Sequence, residues 1–185
     1  MSKGGYKIFD QGGMYFVSFA VVSWVDVFTR KEYRDIVVES LQHCQLEQGL
    51  VIYGWCIMSN HMHLIICAKE NNVSNVLGNF KKFTSKKLIA AIQKNTSESR
   101  KEWMIRLFKE AGELNSRNTN FQFWKQDNEP KVIYTPDFAK QKLEYIHYNP
   151  VDAGIVEKAE EYIYSSARDY YYGKQCGLLK VEFLF

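Results

Sequence analysis

Apolar residues recur along this chain with two different periods, and the switches between them lay out its elements. Residues 14–22, MYFVSFAVV, follow the Gly12-Gly13 pair and are rich in aromatic and β-branched side chains, which predicts a first strand. Thr29 and Glu32 stand at capping-box spacing. Ile36, Val37, Ser40, Leu41 and Cys44 continue at helical spacing, predicting a helix to about residue 48 with Gly49 as its stop. Residues 50–57 and 61–67 are apolar runs joined through Ser59-Asn60, a connection short enough to predict an antiparallel hairpin. Ser74 opens a second helix to about residue 93, with Leu77, Phe80, Thr84, Leu88 and Ala91 on one face. Trp103, Ile105, Leu107 and Phe108 suggest a third helix over 97–111, followed by a polar loop over 112–120. Residues 121–125, FQFWK, alternate weakly as a fourth strand. Thr135 as cap, Pro136 at the first position and Asp137 at the positive end of the dipole then begin a helix anchored by Phe138, Leu143 and Ile146 and ended by Pro150. The tail carries Tyr162, Tyr164, Tyr170, Tyr171 and Tyr172 and a last strand at 178–183.

This order matches a ferredoxin-like α+β sandwich, an antiparallel β-sheet with helices packed on one face. It leaves the strand order open. With 185 residues, 46% hydrophobic and 24% charged, the chain is expected to form one domain over residues 1–185, in which 97–120 adds an extra helix and a mobile loop. The N-terminus has no basic stretch leading into an apolar one, and no apolar run approaches bilayer length. A cytoplasmic protein with no membrane partner is therefore expected. Cys44, Cys56, Cys67 and Cys176 lack C-x-x-C spacing, which favours reduced thiols over a zinc ribbon or disulfides. The net charge of +3 is mild. Between residues 80 and 101, however, Lys81, Lys82, Lys86, Lys87, Lys94, Arg100 and Lys101 face only Glu98, and this cluster reads either as a solvated face or as an anion-binding surface.

Chemistry concentrates in two places. His61 and His63 are two apart on a predicted strand, so both imidazoles project from one face while Met62 and Leu64 face the other way. Such a pair can bind a divalent cation or can be two half-buried, hydrogen-bonded histidines, and the pattern alone leaves both open. Tyr145 and Asn149, four apart on the last long helix, share a side from which His147 points away. An ordinary amphipathic tyrosine and a capping asparagine would give the same spacing. Together the two places offer two imidazole nitrogens, an amide oxygen and a phenol, enough to hold a metal against a phosphate and attack it.

HMHLI after an apolar strand and a Ser-Asn turn, then YIHYNPVDAG, with FW at Phe123-Trp124 and SSARDY at 165–170, resembles the single-tyrosine HUH transposases, in particular the REP-associated tyrosine transposase branch. The similarity runs from about residue 14 to 172, and the segment 97–120 is longer than a compact member needs. The resemblance implies that His61, His63 and Asn149 are metal ligands for Mg²⁺ or Mn²⁺ and that Tyr145 is the nucleophile. It also implies a single-stranded DNA partner bearing a hairpin, cut without ATP to leave a 5′-phosphotyrosine and a 3′-hydroxyl. A phenol ordinarily titrates near about 10, so its attack on phosphate gains from a metal that stabilises the charge building on the oxygens. Lys81, Lys82, Lys86 and Lys87 would then contact the DNA backbone. A domesticated, non-cleaving binder of hairpin DNA or RNA and a metal-dependent hydrolase of another phosphoester are the competing expectations. The residues do not choose between Tyr145 serving its own chain's histidines and those of a partner in a homodimer.

Overall fold

The computed structural model describes residues 8–115, 120–126 and 130–185. It forms the predicted hairpin from β2 (Leu50–Ile57) and β3 (His61–Ala68). β1 (Tyr15–Ala20) lies antiparallel to β3 on its other side, and the two-residue β4 (Lys131–Val132) pairs with β1. Among the described residues the sheet order is β2-β3-β1-β4, all pairs antiparallel, which is the ferredoxin-like arrangement. The connections between its parallel strands run through α1 (Lys31–Glu47) and α2 (Val73–Lys94).

The register decides which residues meet which helices. Ser18 stands opposite His63, Ala20 opposite His61 and Phe16 opposite Ile65, so these six share one face. Phe19, Met62 and Leu64 occupy the other, where the crossover helices pack; Phe80 of α2 meets Phe19 at 6.0 Å between ring centroids. The histidine face is covered by a further long helix, α4 (Pro136–Asp152). Its approach is so close that a Cβ on Gly54 would lie 2.6 Å from Leu143 Cδ1. Glycine at this position makes space for the helix, and its dihedral freedom is not what matters.

Several boundaries differ from the sequence expectation for identifiable reasons. Thr29 does not cap α1; it sits in a 3-10 turn, Val27–Thr29, and its hydroxyl donates to the Asp26 carbonyl. Ser74 is not the cap of α2 either, since Gln11 reaches across and accepts from the Ser74 amide. The third helix, α3 (Lys101–Glu113), starts later than residue 97 because Glu98 is buried in a clasp with Arg30 and Arg100, at 2.6 and 2.9 Å. Burial would raise the Glu98 pKa, but hydrogen bonds from both guanidinium groups prevail and hold it at about 2. Residues 121–125 form no strand, only an isolated bridge between Trp124 and Val21, because Phe123 and Trp124 are both buried and do not alternate. Part of the expected loop over 112–120, residues 116–119, lies outside the described residues.

Thr135 does cap α4, accepting from the Phe138 amide, but Pro150 does not end it. The helix continues to Asp152 and stops ahead of Gly154, whose φ of +69° is the left-handed conformation of a helix terminus. A short helix, α5 (Ala167–Tyr172), follows. The expected strand at 178–183 is absent; Leu179 and Val181 are buried, and the segment meets β2 through one backbone bond, from Glu182 to Ile52. Cys44, Cys56, Cys67 and Cys176 are free thiols, and no helix among the described residues is long and apolar enough to cross a membrane.

Candidate active site

β3 is the central carrier of the site. His63 is buried between Ser18 of β1 and Cys56 of β2, and its Nδ1 lies 2.7 Å from Ser18 Oγ. Its Nε2 is buried without a hydrogen-bond partner. An orphaned ring nitrogen in a packed sheet is costly unless something approaches it.

His61, at the strand's beginning, has its tautomer set by the turn before it. Asn60 Nδ2 donates to the Trp24 carbonyl at 3.2 Å, so Asn60 Oδ1 is the atom that faces His61 Nδ1, at 2.7 Å. A carbonyl oxygen can only accept, so His61 Nδ1 carries the hydrogen and Nε2 carries the lone pair. The rings of His61 and His63 are 4.8 Å apart. Burial lowers the pKa of His61, and burial with the charges of His61 and Lys142 pushes His63 down to about 3, leaving both imidazoles neutral at pH 7. Neutral imidazoles whose outer nitrogens are held by an amide oxygen and a hydroxyl have the form of metal ligands.

From the facing helix, Tyr145 places its ring 5.1 Å from His63 and 6.0 Å from Phe16, with 47% of its surface exposed. Lys142, one turn earlier, has its ammonium 5.7 Å from the Tyr145 ring centroid and 5.2 Å from that of Phe16. Asn149, one turn later, is half-buried on the Tyr145 side of α4. His61, His63 and Tyr145 are thus brought together within one chain. Among the described residues there is no group of three or more His, Cys, Asp or Glu that could hold a metal.

His147 faces away from the site and fixes the helix that carries Tyr145. Its Nε2 lies 2.8 Å from Ser166 Oγ, and Ser166 Oγ in turn accepts from the Trp55 amide on the outer edge of β2. Burial lowers its pKa to about 4. The unfolded chain protonates this residue near 6.5, so the stability it contributes is fully present above that pH and is lost as pH falls toward 4. The loss is on the order of 3 kcal/mol. Urea titrations between those pH values are expected to show it on top of the like contribution of His63, and His147→Gln to reduce the dependence by its share; an unchanged slope would mean that His147 is solvated in the native state.

The predicted basic surface is only partly available. Lys82, Lys86 and Lys87 are exposed, whereas Lys81 is half-buried and donates to the Lys125 carbonyl at 3.1 Å. Lys81, Lys82 and Lys86 line a cavity of about 510 Å³ with Phe121 and Trp124, and the Lys87 ammonium lies 5.1 Å from the Phe83 ring centroid. Arg100 is held by Glu98. Sequence reasoning missed Ser18, Asn60 and Lys142. Ser18 was signalled as the one hydroxyl on the inner face of an apolar strand, and Lys142 by lying three residues before Tyr145.

A four-stranded antiparallel sheet with crossover helices on one face and a further long helix on the other has a counterpart of known structure. The fold is similar over all of this chain and 94% of the other to that of a REP-associated tyrosine transposase bound to a REP hairpin, with TM-score 0.65 and 16% identity. In sequence, a protein of Haemophilus influenzae assigned as a REP-associated tyrosine transposase is 25% identical over 164 residues, which span 85% of this chain and 81% of that protein. Residues 19–117, more than half of the chain, match the family described as IS200-like transposases. The chain belongs to that family.

Proposed function

We propose that this protein cuts and rejoins single-stranded DNA beside a hairpin, with Tyr145 as nucleophile and His61, His63 and Asn149 as ligands for Mg²⁺ or Mn²⁺. The observation that carries the reading is the approach of the Tyr145 ring to His63, whose Nε2 is buried without a partner. A cation at that nitrogen would satisfy it, and the donor set of two imidazoles and an amide leaves room for phosphate oxygens. Held there, the metal supplies positive charge at the non-bridging oxygens of the phosphate.

The chain's own residues supply the rest. Ser18 and Asn60 orient the imidazoles, and the packing of α4 on β2 positions the phenol. In the transfer the Tyr145 Oη–P bond forms as the P–O3′ bond breaks. The phenol gives up its proton and the departing 3′ oxygen takes one up, so the 3′-hydroxyl can later reverse the step on another 5′-phosphotyrosine. Lys142 adds a cation on the same side of α4, close to where phosphate charge would gather. The approach of Tyr145 to His63 of its own chain supports attack within one chain. Lys82, Lys86 and Lys87 offer exposed charge for the DNA backbone, with Lys81 at the rim of the same cavity. The hairpin partner is carried over from the REP-bound structure that this fold matches.

Incubation with hairpin-bearing single-stranded oligonucleotides and Mg²⁺ or Mn²⁺ is expected to give a covalent protein–DNA adduct on denaturing gels, abolished by chelator. Hairpin binding without any adduct would instead support a non-cleaving binder. Multiple turnover on a small phosphoester would support a hydrolase.

A further inference from the structure

Among the described residues, the non-glycine residues with positive φ are Ser23, Trp24 and Asn71, and the first two are consecutive, at 53° and 57°. Left-handed backbone is unfavourable for L side chains and persists where the surroundings impose it, often beside functional sites. The surroundings here are definite. The Trp24 amide donates to the Val21 carbonyl at 3.0 Å, and its carbonyl accepts from Asn60, the residue that also orients His61.

Core packing does not account for this arrangement, because Trp24 is 53% exposed. Its ring centroid lies 5.8 Å from that of His61, the two rings nearly perpendicular, and the Lys125 ammonium lies 4.1 Å from the Trp24 ring centroid. The Lys125 backbone carbonyl accepts from Lys81, which ties this point to the rim of the basic cavity on α2. A solvent-facing aromatic surface therefore lies between the candidate metal ligands and the lysines, with a cation beside it. An unpaired base has a π face to stack on indole and a phosphate to meet an ammonium, which is the recognition mode of single-stranded nucleic acids.

We propose that Trp24 is the stacking platform for one unpaired base next to the phosphate that Tyr145 attacks, with Lys125 meeting the backbone of that nucleotide. Trp24 thereby sets the position of the strand at His61. The proposal rests on the single-stranded DNA reading above and deepens it.

Its test uses the full chain, without added divalent cation, and hairpin oligonucleotides with single-stranded flanks in which an abasic nucleotide is moved one position at a time. At one flank position the abasic change is expected to weaken binding about tenfold or more for the unaltered protein. The same position should be sensitive in Trp24→Phe and insensitive in Trp24→Ala, whose binding to the intact oligonucleotide is already weakened by a similar factor. If no position loses its sensitivity in Trp24→Ala, the proposal is overturned. Trp24→Gly, which removes the left-handed penalty, is expected to melt no lower than the unaltered protein while binding as weakly as Trp24→Ala; a lower melting temperature would make Trp24 a packing residue and overturn the assignment. The cleavage reading fails separately. Trp24-dependent binding with no covalent adduct once Mg²⁺ or Mn²⁺ is added leaves the platform in place and removes the nucleophile, whereas failure to bind any oligonucleotide overturns both.

Discussion

Tyr145→Phe is expected to abolish the covalent DNA adduct, a loss of at least about a thousandfold in the rate of its formation, while leaving folding and hairpin binding almost unchanged. The substitution deletes one oxygen and nothing else. The edge contacts of the ring with His63 and Phe16 are made by carbon atoms that phenylalanine keeps, and the residue is 47% exposed, so no buried polar partner is left unpaired. The expected change in stability is within about 0.5 kcal/mol, the ordinary range for such a site. Tyr148 provides the control. It is also exposed, on the same helix, but among the described residues the helix-borne ring that meets His63 is that of Tyr145 and not of Tyr148, and Tyr148→Phe should form adduct at the unaltered rate. Peptide mapping of the adduct distinguishes the outcomes: DNA attached to Tyr148, or an adduct that survives Tyr145→Phe, would remove Tyr145 from the nucleophile's role.

What could be read from the residues follows from what is local. The hairpin was legible because two apolar runs and a two-residue polar turn lie within eighteen positions, and its bounds differ from the structure by one residue at Ala68. His61, His63 and Tyr145 were legible because strand and helix periods fix which side chains share a face. Elements whose limits are set by distant partners were not. Pro150 reads as a stop, since the residue before a proline avoids the α region, yet Pro150 is buried and the chain stays helical until Gly154 provides the left-handed turn. Phe123 and Trp124 look like part of an alternating strand, but Phe123 packs on Phe108 of α3 and the Trp124 indole donates to Thr84 of α2. The roles of Ser18, Asn60 and Trp24 depend on the β1–β3 register and on a loop closing over the hairpin turn, which no spacing along the chain encodes.

Gly54→Leu is the second large expected effect, and it tests how the fold makes the site. β2 and β3 slip register between Ile52 and Gly54, and the glycine lies opposite Ile65 on the face that α4 covers. A Cβ there would stand 2.6 Å from Leu143 Cδ1, 3.7 Å from Ile65 Cδ1 and 3.8 Å from Ile146 Cδ1. The first of these is the far end of a flexible side chain, so Gly54→Ala can be accommodated by a change of Leu143 rotamer at a cost of about 1 kcal/mol. Leucine adds three more carbons with no space to enter, since Ile146 is fully buried and Leu143 nearly so. Overpacking of this kind costs about 1–3 kcal/mol, and at roughly 2–4 °C per kcal/mol for a chain of this size it is expected to lower the melting temperature by about 2–12 °C. The larger consequence falls on chemistry. Relief requires α4 to lift from β2, and α4 carries Tyr145 while β3 holds His63, so their separation is the quantity that changes. A displacement near 1 Å typically costs about a hundredfold in rate, and adduct formation should fall accordingly while hairpin binding through the basic face of α2 persists. Leu143→Ala, by itself destabilising, should restore part of both losses in the double variant, because its cavity accepts the new side chain. A Gly54→Leu protein that melts and forms adduct like the unaltered chain would mean that the contact between α4 and β2 does not position the phenol.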